Sequence, residues 1–188
     1  LGTDATVNVS GMPGIISPGL GYSNASPANP ADVGTLSINA SDPGAEALSM
    51  GGILQIDIVD PTLFDVLNID VGQVTIAGTP DTPQMAGDTA FLELNGTQVL
   101  SSLDYTNDLG FSFLDRIDFL FADDGIIGDF ENFPANQVVQ DAGGGLVLFG
   151  NTGTSLFIQS VPEPASIALW SLLGMVAALF FGRRGRRA

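Results

Sequence analysis

The sequence predicts an all-β body of short strands, solenoid-like or sandwich-like, followed by a single C-terminal transmembrane helix. Three observations predict it. Apolar and polar residues alternate over short runs, as in half-buried strands. Turn residues punctuate those runs, with 24 Gly and 11 Pro among 188 residues. The stretch 165–182 then holds eighteen residues without a charge before Arg183.

Residues 1–32 carry apolar islands split by Pro, Gly and Asn, and are expected to form an irregular arm or an incomplete domain start. An acidic all-β domain is expected over 33–160. It opens with "GTLSINA" (34–40), where Leu36 and Ile38 share one face and Ser37 and Asn39 the other. "GGILQIDIVD" (51–60) follows, with Leu54, Ile56 and Ile58 on one face. "LFDVLNIDV" (63–71), "GQVTIAGTP" (72–80) and "DTAFLELNGTQVL" (88–100) continue the pattern. "LGFSFLDRIDFLFAD" (109–123) is read as paired strands, although Asp115 and Asp118 would also suit a helical face. A hairpin is expected over 141–161, turning at Gly150-Asn151-Thr152-Gly153, where tight reversal needs positive φ. No capped 3.6-period helix intervenes, which argues against βαβ units. Short strands with such turns fit a β-sandwich or a parallel β-solenoid, and no strict repeat period selects the solenoid.

Residues 34–94 resemble the rungs of autotransporter-passenger-like β-helical surface proteins. The likeness rests on Leu67-Asn68-Ile69, on the Gly-led strand "GQVTIAGT", and on the Gly87-Asp88 turn before another strand. It stops after Leu94. The resemblance implies a β-helical body.

Charge divides the chain. Residues 1–164 hold all 21 acidic groups against one base, Arg116, for a formal charge of −20. The remainder holds Arg183, Arg184, Arg186 and Arg187 and no acid. So acidic a body repels phosphate backbones, and no nucleic-acid partner is expected. With no Cys, disulfides and thiol catalysis are excluded, and with no His the commonest general base is missing. The sequence opens at Leu1 without Met or a charged leader, so export requires a leader upstream of it, or the sequence is a piece of a longer one.

Carboxylates are the remaining candidates for chemistry. Asp115, Asp118, Asp123, Asp124, Asp129 and Glu131 crowd one span rich in oxygen donors, which suits Ca2+. EF-hand spacing is missing, so an ordinary acidic loop is the reading adopted, and no cofactor is expected. A glycosidase would need two carboxylates across a sugar ring, and no motif selects a pair such as Asp118 with Glu93. No G-x-S-x-G, dinucleotide or Walker pattern is present. The chain is expected not to be an enzyme.

The end of the chain is the most specific segment. At about 1.5 Å per residue, a helix over 165–182 would span roughly 27 Å, close to a hydrocarbon core. The arginine cluster 183–187 would then lie on the cytoplasmic side and hold the body outside. "VPEPASIALWSLLGMVAALFFGRRGRRA" (161–188) looks like the PEP-CTERM sorting signal of exopolysaccharide-producing Gram-negative bacteria. The matching parts, in order, are Pro162-Glu163-Pro164, the small pair Ala165-Ser166, the apolar run, and Arg183, Arg184, Arg186 and Arg187. Such a region is also called an ice-binding protein C-terminal domain, a title that need not describe the body.

The resemblance implies processing near the motif by exosortase, a membrane enzyme, and transfer of the body to the envelope or matrix. The expectation is therefore a non-catalytic exported surface or biofilm-matrix protein, starting as a single-pass inner-membrane precursor, with exopolysaccharide as a further candidate partner. Two alternatives stay open: a Ca2+-dependent or carbohydrate-binding adhesin, and a polysaccharide-active hydrolase with paired carboxylates.

Overall fold

The computed structural model describes residues 7–19, 33–76, 89–112, 114–162, 171–173 and 175. Its strands are β1 (Val7–Ile16), β2 (Thr35–Ser37), β3 (Glu46–Ile56), β4 (Ile58–Asp60), β5 (Leu63–Phe64), β6 (Val66–Ile69) and β7 (Gln73–Ile76). They continue with β8 (Phe91–Leu94), β9 (Arg116–Ala122), β10 (Ile126–Ile127), β11 (Gln137–Gln140), β12 (Leu146–Asn151) and β13 (Ser155–Val161). One 3-10 turn covers Leu100–Ser102.

Three successive strand pairs stack in parallel. β2, β6 and β9 pair side by side in one sheet, and β3, β7 and β10 do so in the other. Each rung therefore crosses from one sheet to the next through a corner, as in a coil. Register puts Leu36 beside Leu67 and Leu67 beside Leu120. On the second sheet Leu48 lies beside Val74, and Val74 beside Ile126. These stacks feed one buried cluster, in which Leu48, Leu67, Val74 and Leu120 have no exposed surface. Burying each such side chain stabilises the fold by about 1.5–3 kcal/mol.

The ends of the stack are irregular. β3 pairs with β7 up to Met50 and with β8 from Ile53. Between them lies Gly51-Gly52, and Gly52 has φ of 138°, which lets one strand leave one partner and take another. β1 runs parallel to β3 with a shift between Val9 and Gly14, so part of the stretch expected to be irregular is a strand, with Pro13 at the shift. Beyond β9 the sheet turns antiparallel: β13 pairs with β9, β12 with β13, and β11 with β12.

The expected hairpin of 141–161 is the β12–β13 pair, with Gly153 at φ 88° in its turn. Residues 109–123 differ from the expectation of paired strands, since among the described residues only β9 forms there. Phe111 sits in a loop instead, its N–H bonded to Tyr105 O at 2.9 Å. Its ring meets Tyr105 edge-on at 5.6 Å, and Tyr105 in turn meets Phe149 at 6.2 Å. A buried aromatic in a loop mimics strand alternation, because burial and not local geometry put it there.

The membrane-spanning helix expected over 165–182 is corrected, together with the single-pass inner-membrane placement built on it. Among the described residues no helix is long and apolar enough to cross a membrane. Of that span, Ser171, Leu172, Leu173 and Met175 are described, as helix, and they are exposed. A crossing needs about 20 helical residues in sequence, because hydrocarbon satisfies no backbone group. The other residues of 165–182 lie outside the described ones, as do Arg183, Arg184, Arg186 and Arg187, whose orienting role depended on that helix.

Candidate functional site

Rung corners need positive φ, and Gly44, Gly72 and Gly125 supply it at 76°, 105° and 116°. Beside them stands Asp124. Its Oδ2 accepts the Gly72 N–H at 2.8 Å and the Gly44 N–H at 2.9 Å. One carboxylate of the third rung thus holds the corners of the other two. These two N–H groups, Gly44 first, hold the Asp124 carboxyl below its ordinary pKa. Asn39 works similarly one step away, its Oδ1 accepting from Asp70 N at 2.9 Å.

Asp115, Asp118 and Asp129 of the acidic span are also engaged in structure. Asp115 accepts the Ser112 N–H at 2.7 Å. Asp118 pairs with Arg116 through Nε at 2.8 Å and accepts from Ser155 Oγ at 3.1 Å. Arg116 lies over the Phe157 ring, 3.6 Å from its centroid, and the Asp118 carboxylate raises the guanidinium pKa. Asp129 accepts from Asn151 Nδ2 at 3.2 Å. Asp123 and Glu131 are exposed. Among the described residues no three carboxylates converge as a metal site. Glu93 stands on β8 in the parallel sheet and Asp118 on β9 in the mixed one.

Capping by carboxylate recurs elsewhere. Asp60 accepts from Thr62 Oγ1 at 2.6 Å and from its N–H at 2.7 Å, and this pair of bonds lowers its pKa. Asp104 takes the Asn107 side-chain amide at 2.7 Å and its N–H at 2.9 Å, with the same result. Asp141, nearly buried, bonds Gly145 N at 2.7 Å and Tyr105 N at 3.2 Å. Burial of the Tyr105 phenol, then the Asp141 charge, pushes the Tyr105 pKa far up. Loops rich in Asp and Gly are held here by their own backbone donors.

One cavity of about 300 Å³ lies beside this framework, walled by Val99, Leu100, Pro134, Val139 and Phe149. Asn132 stands in its wall and is fully used: it bonds Leu92 N at 2.9 Å, Leu92 O at 2.7 Å and Gln98 O at 2.7 Å. Those bonds close the open edge of β8, as a paired strand would. Asn95 does the same for Ile58, at 2.6 and 2.8 Å. No charged side chain lines the cavity. Sequence reasoning missed both asparagines, since nothing local marks which Asn will meet an unpaired strand edge.

β13 stops at Val161 and Pro162 follows directly, half-buried. Glu163 and Pro164 lie outside the described residues. Comparison with protein-family models, with curated proteins and with solved structures gives no significant match. The reading of function therefore rests on the chain itself.

Proposed function

We propose that the chain is a non-catalytic, exported β-domain of the cell surface or biofilm matrix, sorted and processed through a PEP-CTERM signal by an exosortase-type enzyme. The observation that carries this is the junction at Val161–Pro162. β13 is an interior strand, held by β12 on one side and β9 on the other, and it ends where the motif begins. Proline has no N–H to extend the ladder, so pairing stops there and the motif starts as non-strand chain. Processing beyond Pro162 would leave every strand of the described residues in place.

The acidic side chains support the non-catalytic part. Asp60, Asp104, Asp115, Asp124 and Asp141 spend their oxygens on backbone N–H groups. A carboxylate so committed is a fixed structural acceptor. Secreted acidic β-proteins gain solubility from the same charge.

The test is the C-terminal mass of the protein recovered from cells with and without the exosortase-type enzyme. A shortened C-terminus that depends on the enzyme, and on Pro162 and Glu163, is expected. An intact C-terminus in both strains overturns the sorting reading.

A further inference from the structure

We propose that β11 is a docking edge for a second copy of this chain, the two β11 strands pairing antiparallel about a two-fold axis normal to the sheet. β11 ends the six-stranded sheet, and among the described residues only β12 pairs with it. Across the β11–β12 turn the Asp141 N–H bonds the Gly145 carbonyl at 3.0 Å. Bonding direction alternates along an antiparallel strand. Val139 therefore turns its backbone groups toward β12, and Val138 and Gln140 turn theirs to the open edge. The edge is also accessible, with Val138 53% exposed.

Edge strands of soluble proteins are usually blunted by Lys, Pro or a bulge. β11 has none of these: it reads Gln-Val-Val-Gln and pairs with β12 in unbroken register. Charge does not oppose approach there. The chain carries −16, so copies repel where their acidic residues meet, whereas residues 132–140 hold no charged side chain.

Self-complementarity points to a second copy rather than a foreign strand. A two-fold axis normal to the sheet keeps every side chain on its own face, so opposed residues share parity. Setting Val138 against its own counterpart places Asn136 against Gln140 and Gln137 against Val139. The outer face then gains a central valine pair flanked by amides, with no like charges opposed. The outward backbone groups of Val138 pair with each other across the axis. A four-residue strand is short against the ~1,200–2,000 Å² buried by stable complexes, so the pairing is a monomer–dimer equilibrium that follows concentration.

Sedimentation of the full chain over rising concentration tests this. Dimer is expected for the wild type. It should be lost in Val138→Pro, which removes an outward N–H, and in Val138→Lys, which opposes two ammonium groups, with thermal midpoints unchanged for Val138→Lys. The chain has no cysteine. Val138→Cys should therefore cross-link into a covalent dimer under mild oxidation, while Thr152→Cys, at the exposed β12–β13 turn, should stay monomeric. A wild type that is monomeric throughout overturns the proposal. So does a dimer that survives both Val138→Pro and Val138→Lys, or equal cross-linking of the two cysteine variants. None of these outcomes bears on C-terminal processing, so the two readings fail separately.

Discussion

The Asp124 carboxylate accepts the backbone N–H of Gly72 at 2.8 Å, across 52 residues of sequence. The same oxygen takes Gly44 N–H at 2.9 Å, so three rung corners share one acceptor. Asp124→Ala should therefore lower the thermal midpoint, and the exposed neighbour change Asp123→Ala should leave it nearly unchanged. Differential scanning calorimetry of the two variants checks this.

The pH dependence has a defined sign. Asp124, Asp60 and Asp104 all have lowered folded-state pKa values, each from hydrogen bonds to the charged form. Their stabilisation is present above the ordinary carboxylate pKa of about 3.9 and is lost as pH falls through the lowered folded value. Acid unfolding of the wild type should set in below about pH 4, and Asp124→Ala should flatten the stability slope in that window. A slope identical in both proteins, measured by denaturant unfolding at stepped pH, contradicts the staple.

Gly72 tests the corner geometry itself. A Cβ there would stand 2.8 Å from Ala45 O and Ala47 Cβ and 2.9 Å from Ala40 Cβ, with φ at 105°. Gly72→Ala should cost about 2–4 kcal/mol, combining backbone strain with overpacking. Gly44 has φ of 76° but open space around it, so Gly44→Ala should cost only about 1–2 kcal/mol. Urea unfolding of both variants reads the difference.

Gln55 should be improvable. It sits on β3 with no exposed surface, and among the described residues neither its Nε2 nor its Oε1 has a partner. An unsatisfied buried amide costs about 1–3 kcal/mol. Gln55→Met keeps the shape and removes the polar atoms, and is expected to raise stability by about 1–2 kcal/mol in urea unfolding. A loss of stability would show that the amide is satisfied in solution.

Gly150 and Phe157 form the last test. The Phe157 ring lies against the Gly150 backbone, so close that an added Cβ would meet its Cζ, and Arg116 covers the ring. Gly150→Ala should displace the ring and cost about 1–3 kcal/mol. Arg116→Gln should cost under about 1 kcal/mol, since the ion pair is partly exposed and screened.

Much of this was legible in the chain because strand alternation is local. The Leu54-Ile56-Ile58 face and the glycine of the "GNTG" turn needed only period-two patterning and positive-φ chemistry. Residues 109–123 misled because Phe111 is buried by its neighbours and not by a strand. The coil was hidden by uneven rungs: Leu36 stacks on Leu67, and Leu67 on Leu120, with very different lengths of chain between them. No fixed period survives such insertions.

The sequence by itself determined the β character of the body and the β12–β13 turn with its glycine. The tertiary structure decided which strands became neighbours, where β3 changes partner at Gly51-Gly52, and that Asp124 ties the Gly44 and Gly72 corners together. It also overturned the membrane-spanning reading of 165–182, among the described residues. The physical reason is common to these. Hydropathy and turn chemistry act within a few residues, whereas a carboxylate or a strand edge takes its role from donors that only folding brings near.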